Sequence, residues 1–121
     1  MLLLAACGAF MRTPAPEGSD ALISVLVTGE VPDDDLSLEI GGSAWVVAGG
    51  SAGTAALSAP DVQAVRLVRV VDCEELALFE ADPGTAHAVV FAADGSVSVE
   101  GRTAEQDVGA PLERSGPTEC A

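Results

Sequence analysis

The 121-residue chain contains no lysine, no asparagine and no tyrosine, and it has one histidine and one tryptophan. Each scarcity excludes something. Nucleic-acid binding needs Lys and Arg for phosphates and aromatic side chains for stacking on single strands. Five arginines against 19 acidic residues, a net charge of −14 and an aromatic content of 3% remove nucleic acid from the expected partners. The same charge repels anionic headgroups, so the folded part is expected to stand off a membrane surface, and it favours colloidal solubility. A single histidine builds no closed zinc site without thiolates. No stretch approaches the run of about 20 apolar residues that spans a bilayer as a helix. Gly, Ala, Ser and Val abound instead, so motifs written in small residues carry little information.

What is present begins at the N-terminus. Leu4-Ala5-Ala6-Cys7-Gly8 places an apolar residue three before a cysteine, two small residues between them and a glycine after. This stretch resembles the lipobox of bacterial lipoproteins. The resemblance implies that diacylglycerol alkylates the Cys7 thiol, that the chain is cut before Cys7, and that the mature protein is held by lipid on the extracytoplasmic face of the cell membrane. Residues 1–6 are then the remnant of a signal peptide, 7–20 the lipid anchor and linker, and 21–121 the folded domain. A secretory signal needs a basic n-region and an apolar h-region of about 7–15 residues. The six residues before Cys7 lack Lys and Arg, so the reading implies a start further upstream. With Cys7 lipidated, Cys73 and Cys120 remain, an even number in an exported protein, and they read as one disulfide.

After the linker, in which Pro14, Pro16 and Gly18 block regular structure, the chain reads as short β runs. Ala21–Val31 is rich in Val, Leu and Ile. Leu36, Leu38 and Ile40 alternate with polar residues at the two-residue period of a half-buried strand. Ala44–Ala48 follows, with Trp45 as core filler. Gly49–Pro60 reads as a loop or a weak strand at Ala55–Ser58. Val62–Val71 is the strongest run, with Val65 and Leu67 inward and Arg66 outward; Arg69 falls out of phase with Arg66, which points to a bulge or twist near Val68. Glu75–Ala81 leads to Asp82-Pro83-Gly84, a turn in which Pro presets φ and Gly supplies positive φ. Ala86–Ala92 and Ser96–Glu100 flank Asp94-Gly95, the signature of a tight hairpin with both central residues at positive φ. Gly101–Ala121 reads as a tail pinned by Cys120. The expected fold is all-β, a small antiparallel β-sandwich of about seven strands behind a flexible N-terminal tether. Pro83-Gly84-Thr85 entering a hairpin strand resembles the edge of immunoglobulin-like and transthyretin-like sandwich domains of bacterial surface proteins, a resemblance that bears on fold alone.

Three constellations compete for chemistry. Gly49-Gly50-Ser51-Ala52-Gly53 matches the G-x-S-x-G elbow of α/β-hydrolases, and Ser51, Asp72 or Asp82, and His87 follow in that order. With 9 serines and 13 glycines, about a tenth of a match arises by chance, and Thr54–Ala59 is too short for the helix the elbow requires. A serine hydrolase on Ser51 and His87 is therefore the rival to a non-catalytic reading. Asp33-Asp34-Asp35 with Glu30 and Glu39 offers oxygens to calcium, but three consecutive aspartates cannot all face one ion, so a calcium-stabilised surface module is the third reading. His87 between Ala86 and Ala88 reads as a half-buried strand histidine. The expectation is a lipoprotein without enzymatic activity, cofactor or metal that presents a small acidic sandwich to a protein or a small ligand.

Overall fold

A computed structural model describes residues 21–102 and 110–116. Two apolar stripes of period two create the architecture. Ile23, Val25 and Val27 turn one way from β1 (Ala21–Gly29), and Leu36, Leu38 and Ile40 turn one way from β2 (Leu36–Ile40), and all six are buried. Burying a large aliphatic side chain is worth about 1.5–3 kcal/mol each, so the two stripes face one another across the gap between two sheets. The remaining strands are β3 (Ser43–Val47), β4 (Gly53–Ala59), β5 (Gln63–Arg69), β6 (Glu74–Ala81), β7 (Ala86–Phe91), β8 (Val97–Arg102) and β9 (Glu113–Ser115). One sheet runs β4-β1-β7-β8 and the other β6-β5-β2-β3-β9. The protein is an all-β sandwich, and Trp45, Val47, Val65, Leu67, Val89 and Phe91 complete its core.

The architecture departs from expectation at four places. The described residues hold nine strands rather than about seven. The Gly49–Pro60 segment contains the full strand β4, whose Gly, Ala and Ser residues have little β preference of their own and are held by antiparallel pairing with β1 from Ala21↔Ala59 to Val27↔Gly53. The sandwich is not wholly antiparallel. The Asp82–Thr85 turn carries the chain from one sheet to the other, and β7 then lies parallel to β1. The supposed tail is partly built in. Leu112 donates its N–H to the Thr54 carbonyl, Thr54 donates to the Ala110 carbonyl, and β9 then pairs with β3. Residues 110–115 thus pass from the edge of one sheet to the edge of the other and close that side of the sandwich.

Two turns test the local chemistry. At Asp82-Pro83-Gly84-Thr85, Gly84 has φ +86° and the Thr85 N–H donates to the Asp82 carbonyl at 3.2 Å, as read from the sequence. At Asp94-Gly95 only the glycine has positive φ, +89°. Ala92 pairs with Ser96, and Gly95 N–H returns to the Ala92 carbonyl, so the loop is a three-residue turn with Gly95 in the left-handed position. Asp94 stays out of that region because its carboxylate accepts the Ser96 N–H at 2.9 Å and the Ser96 hydroxyl at 2.7 Å. The irregularity near Val68 is present as a register shift at Leu67/Val68, with Leu76 of β6 as the extra residue.

Candidate functional site

Cys7 and Cys120 lie outside the described residues. Cys73 is exposed in the turn between β5 and β6, with φ +59°. It is the only cysteine among the described residues, so no bridge between two of them exists there, and it is not a residue without a partner.

The hydrolase constellation does not assemble. Ser51 is followed by strand β4 from Gly53, not by a helix, so there is no elbow. His87 lies in register with Val25, whereas Ser51 precedes the Gly53 that pairs with Val27. Two strand spacings and about four residues of offset separate the two by roughly 16 Å. His87 is instead half-buried, with its Nε2 3.0 Å from the Thr85 hydroxyl and its ring 5.2 Å from that of Phe79. Asp33, Asp34 and Asp35 are exposed in the turn after β1, where Asp35 accepts the Gly49 N–H at 3.0 Å. No cluster of three metal-ligating side chains occurs among the described residues.

The ionic features are superficial. Arg66 meets Glu39 at 3.2 Å and Glu75 at 3.7 Å, while Arg69 meets Asp72 at 3.2 Å and also Glu74. The Asp72 hydrogen bond raises the Arg69 pKa, and the Arg69 hydrogen bond holds the Asp72 carboxyl below its usual value. Exposed pairs of this kind stabilise little.

The structure brings together a different group. Where β4 edges one sheet and β3 and β9 edge the other, a cleft of about 500 Å³ opens. Leu22 and Ser24 come from β1, Thr54 and Ala56 from β4, Trp45 from β3, and Pro111 and Leu112 from the closing segment. The described lining residues carry no charge. The Arg114 guanidinium lies over the Trp45 ring, 4.8 Å from its centroid, and donates to the Ser43 hydroxyl at 2.8 Å. Sequence reasoning found Trp45 only as core filler and missed the site, because its residues are up to 90 positions apart, Leu22 to Leu112. The one available signal was that the sole tryptophan falls in a short strand. No family model matches the chain, and no similar curated protein was found.

Proposed function

We propose that the protein is a lipid-anchored, exported binding module that seats a small neutral apolar ligand in the Trp45 cleft and makes or breaks no bond in it. The observation that carries the reading is the cleft itself, an indole, two leucines, a proline and an alanine around two hydroxyl-bearing side chains. Pockets for small molecules are mostly apolar with a few polar groups that fix orientation. An ionised ligand would lose its hydration there without gaining a charged partner, and the net charge of −14 opposes anions at long range.

The anchor rests on Leu4-Ala5-Ala6-Cys7-Gly8. From Cys7 to the start of β1 at Ala21 is a chain of at most roughly 46–50 Å when extended, enough to hold an acidic sandwich clear of the headgroups. Export in turn supports a Cys73–Cys120 disulfide, with Cys73 exposed and not partnerless.

Trp45 is the only tryptophan, so energy transfer from it to the neutral fluorophore N-phenyl-1-naphthylamine reports binding directly. Saturable transfer is expected, and it should be abolished by Leu22→Glu and by Ala56→Glu, both at exposed positions where folding is spared. Absent transfer, or transfer unchanged in both variants, contradicts the reading.

A further inference from the structure

Two hydrogen-bonding groups of the Trp45 cleft are left over once the protein's own bonds are drawn. Trp45 is only 4% exposed, and a buried indole N–H ordinarily meets an acceptor. The Trp45 Nε1–H meets none among the described residues. The Arg114 guanidinium over the ring is itself a donor, and it is Arg114 that the Ser43 hydroxyl accepts from. Ser24 is the second case. Ile23 and Val25 on either side of it turn into the core, so Ser24 shares the outward face of β1 with Leu22 and Leu26. Its register partners are Ala56 on β4 and Ala86 on β7. None of those four side chains can donate or accept a hydrogen bond, and the Ser24 hydroxyl makes none among the described residues. Thr54, the other hydroxyl of the cleft, is buried and is not without a partner.

We infer, on the reading that the cleft is the binding site, that it selects neutral ligands carrying a carbonyl oxygen, which takes up the Trp45 N–H and the Ser24 hydroxyl. An indole N–H only donates, so the matching atom of the ligand is an acceptor, and a carbonyl oxygen has two lone pairs for two donors. A carboxylate also accepts, but it would enter a cleft whose described lining holds no counter-charge, against a net charge of −14. A ketone or ester oxygen accepts without carrying charge. A ligand with no acceptor leaves both donors unpaired, and a site built to hydrogen-bond a ligand group discriminates against analogues that lack it. The apolar side chains thus supply affinity, and the two donors choose among apolar molecules.

The test compares two neutral naphthalenes of similar size on the full-length chain, each followed by its own fluorescence. N-phenyl-1-naphthylamine has no carbonyl, and 6-propionyl-2-dimethylaminonaphthalene has one ketone. One variant replaces Trp45, the only tryptophan, by benzothienylalanine, which keeps the fused ring and has sulfur in place of the N–H, and adds Ser24→Ala. It should weaken the ketone probe roughly 3–10-fold more than the amine probe. The emission of the bound ketone should move to the blue, since hydrogen bonding to its carbonyl moves it to the red. Ser24→Ala alone leaves the core untouched and should shift the two affinities apart in the same direction by a smaller factor. Equal losses for the two probes in either variant, or native binding of the amine probe alone, overturn the inference and leave the cleft standing as a site. Failure of both probes to bind the native chain overturns that reading and this inference with it.

Discussion

Replacing Cys73 sets two effects of opposite sign against each other. Cys73 has φ +59°, the left-handed region that glycine occupies freely. A residue with a Cβ there costs about 1–2 kcal/mol, so Cys73→Gly relieves strain. The proposed bridge to Cys120 closes a loop of 48 residues counting both ends, from position 73 to 120. In the chain-entropy model its removal costs about 4 kcal/mol. The bridge wins, and Cys73→Gly should lose roughly 2–3 kcal/mol net, which for a domain of about 100 residues lowers Tm by roughly 8–24 °C. Cys73→Ser keeps the strain and should lose the full ~4 kcal/mol. The assay is urea unfolding of native protein and both variants, with and without reductant. Reductant should bring the native midpoint down to that of Cys73→Ser and leave both variants unmoved. A Cys73→Gly protein at least as stable as the oxidised native chain would refute the bridge, because strain relief alone would then account for the result.

Leu38→Ala, in the buried stripe of β2, should cost about 2–5 kcal/mol, while Leu78→Ala on the open face should fall within about 0.5 kcal/mol; urea midpoints compare the two. Gly29 has φ +93°, and an added Cβ would land on the Phe91 carbonyl, so Gly29→Ala should cost more than roughly 3 kcal/mol. Gly95→Ala, at φ +89° but with open space above it, should cost only the left-handed penalty of about 1–2 kcal/mol; equal losses in the two variants would show that the close approach is not the cause. The Ser96 N–H, and after it the Ser96 hydroxyl, hold the Asp94 carboxyl below its usual pKa. Because the folded value lies under the unfolded one, the contribution is present above the unfolded aspartate pKa of about 3.9 and is lost as pH falls through the folded value. The stability gap between native protein and Asp94→Ala should accordingly narrow on acidification, and a gap independent of pH would remove the hydrogen bonds as its source.

The fold was legible where local chemistry decides the outcome. The alternation of Leu36, Leu38 and Ile40, the Pro83-Gly84 turn and the break in phase between Arg66 and Arg69 each act within a few residues, and each appears in the structure. Strand β4 was not fully legible because most of its residues, glycine and alanine above all, prefer no strand, and β1 imposes one through hydrogen bonding. The parallel pairing of β1 with β7 is set by a crossover between sheets, which no periodicity records. Asp94-Gly95 fits two kinds of hairpin loop, and the choice turns on the Asp94 bonds to Ser96. The cleft was hidden for the same reason as the crossover. Leu22, Trp45, Ala56 and Leu112 belong to four segments whose adjacency is a property of the assembled edge. Ser51 and His87 show the converse, since their order in sequence carries no information about their distance apart.

The central claim is that the Trp45 cleft is where this protein binds. The direct measurement is the map of backbone amide shifts when N-phenyl-1-naphthylamine is added to the full-length chain. The largest changes are expected at 22–24, 54–56 and 111–112, around Trp45. Changes centred instead on the second groove of the same sheet, at Leu26, Val90 and Glu100, or spread evenly over both sheets, would contradict it.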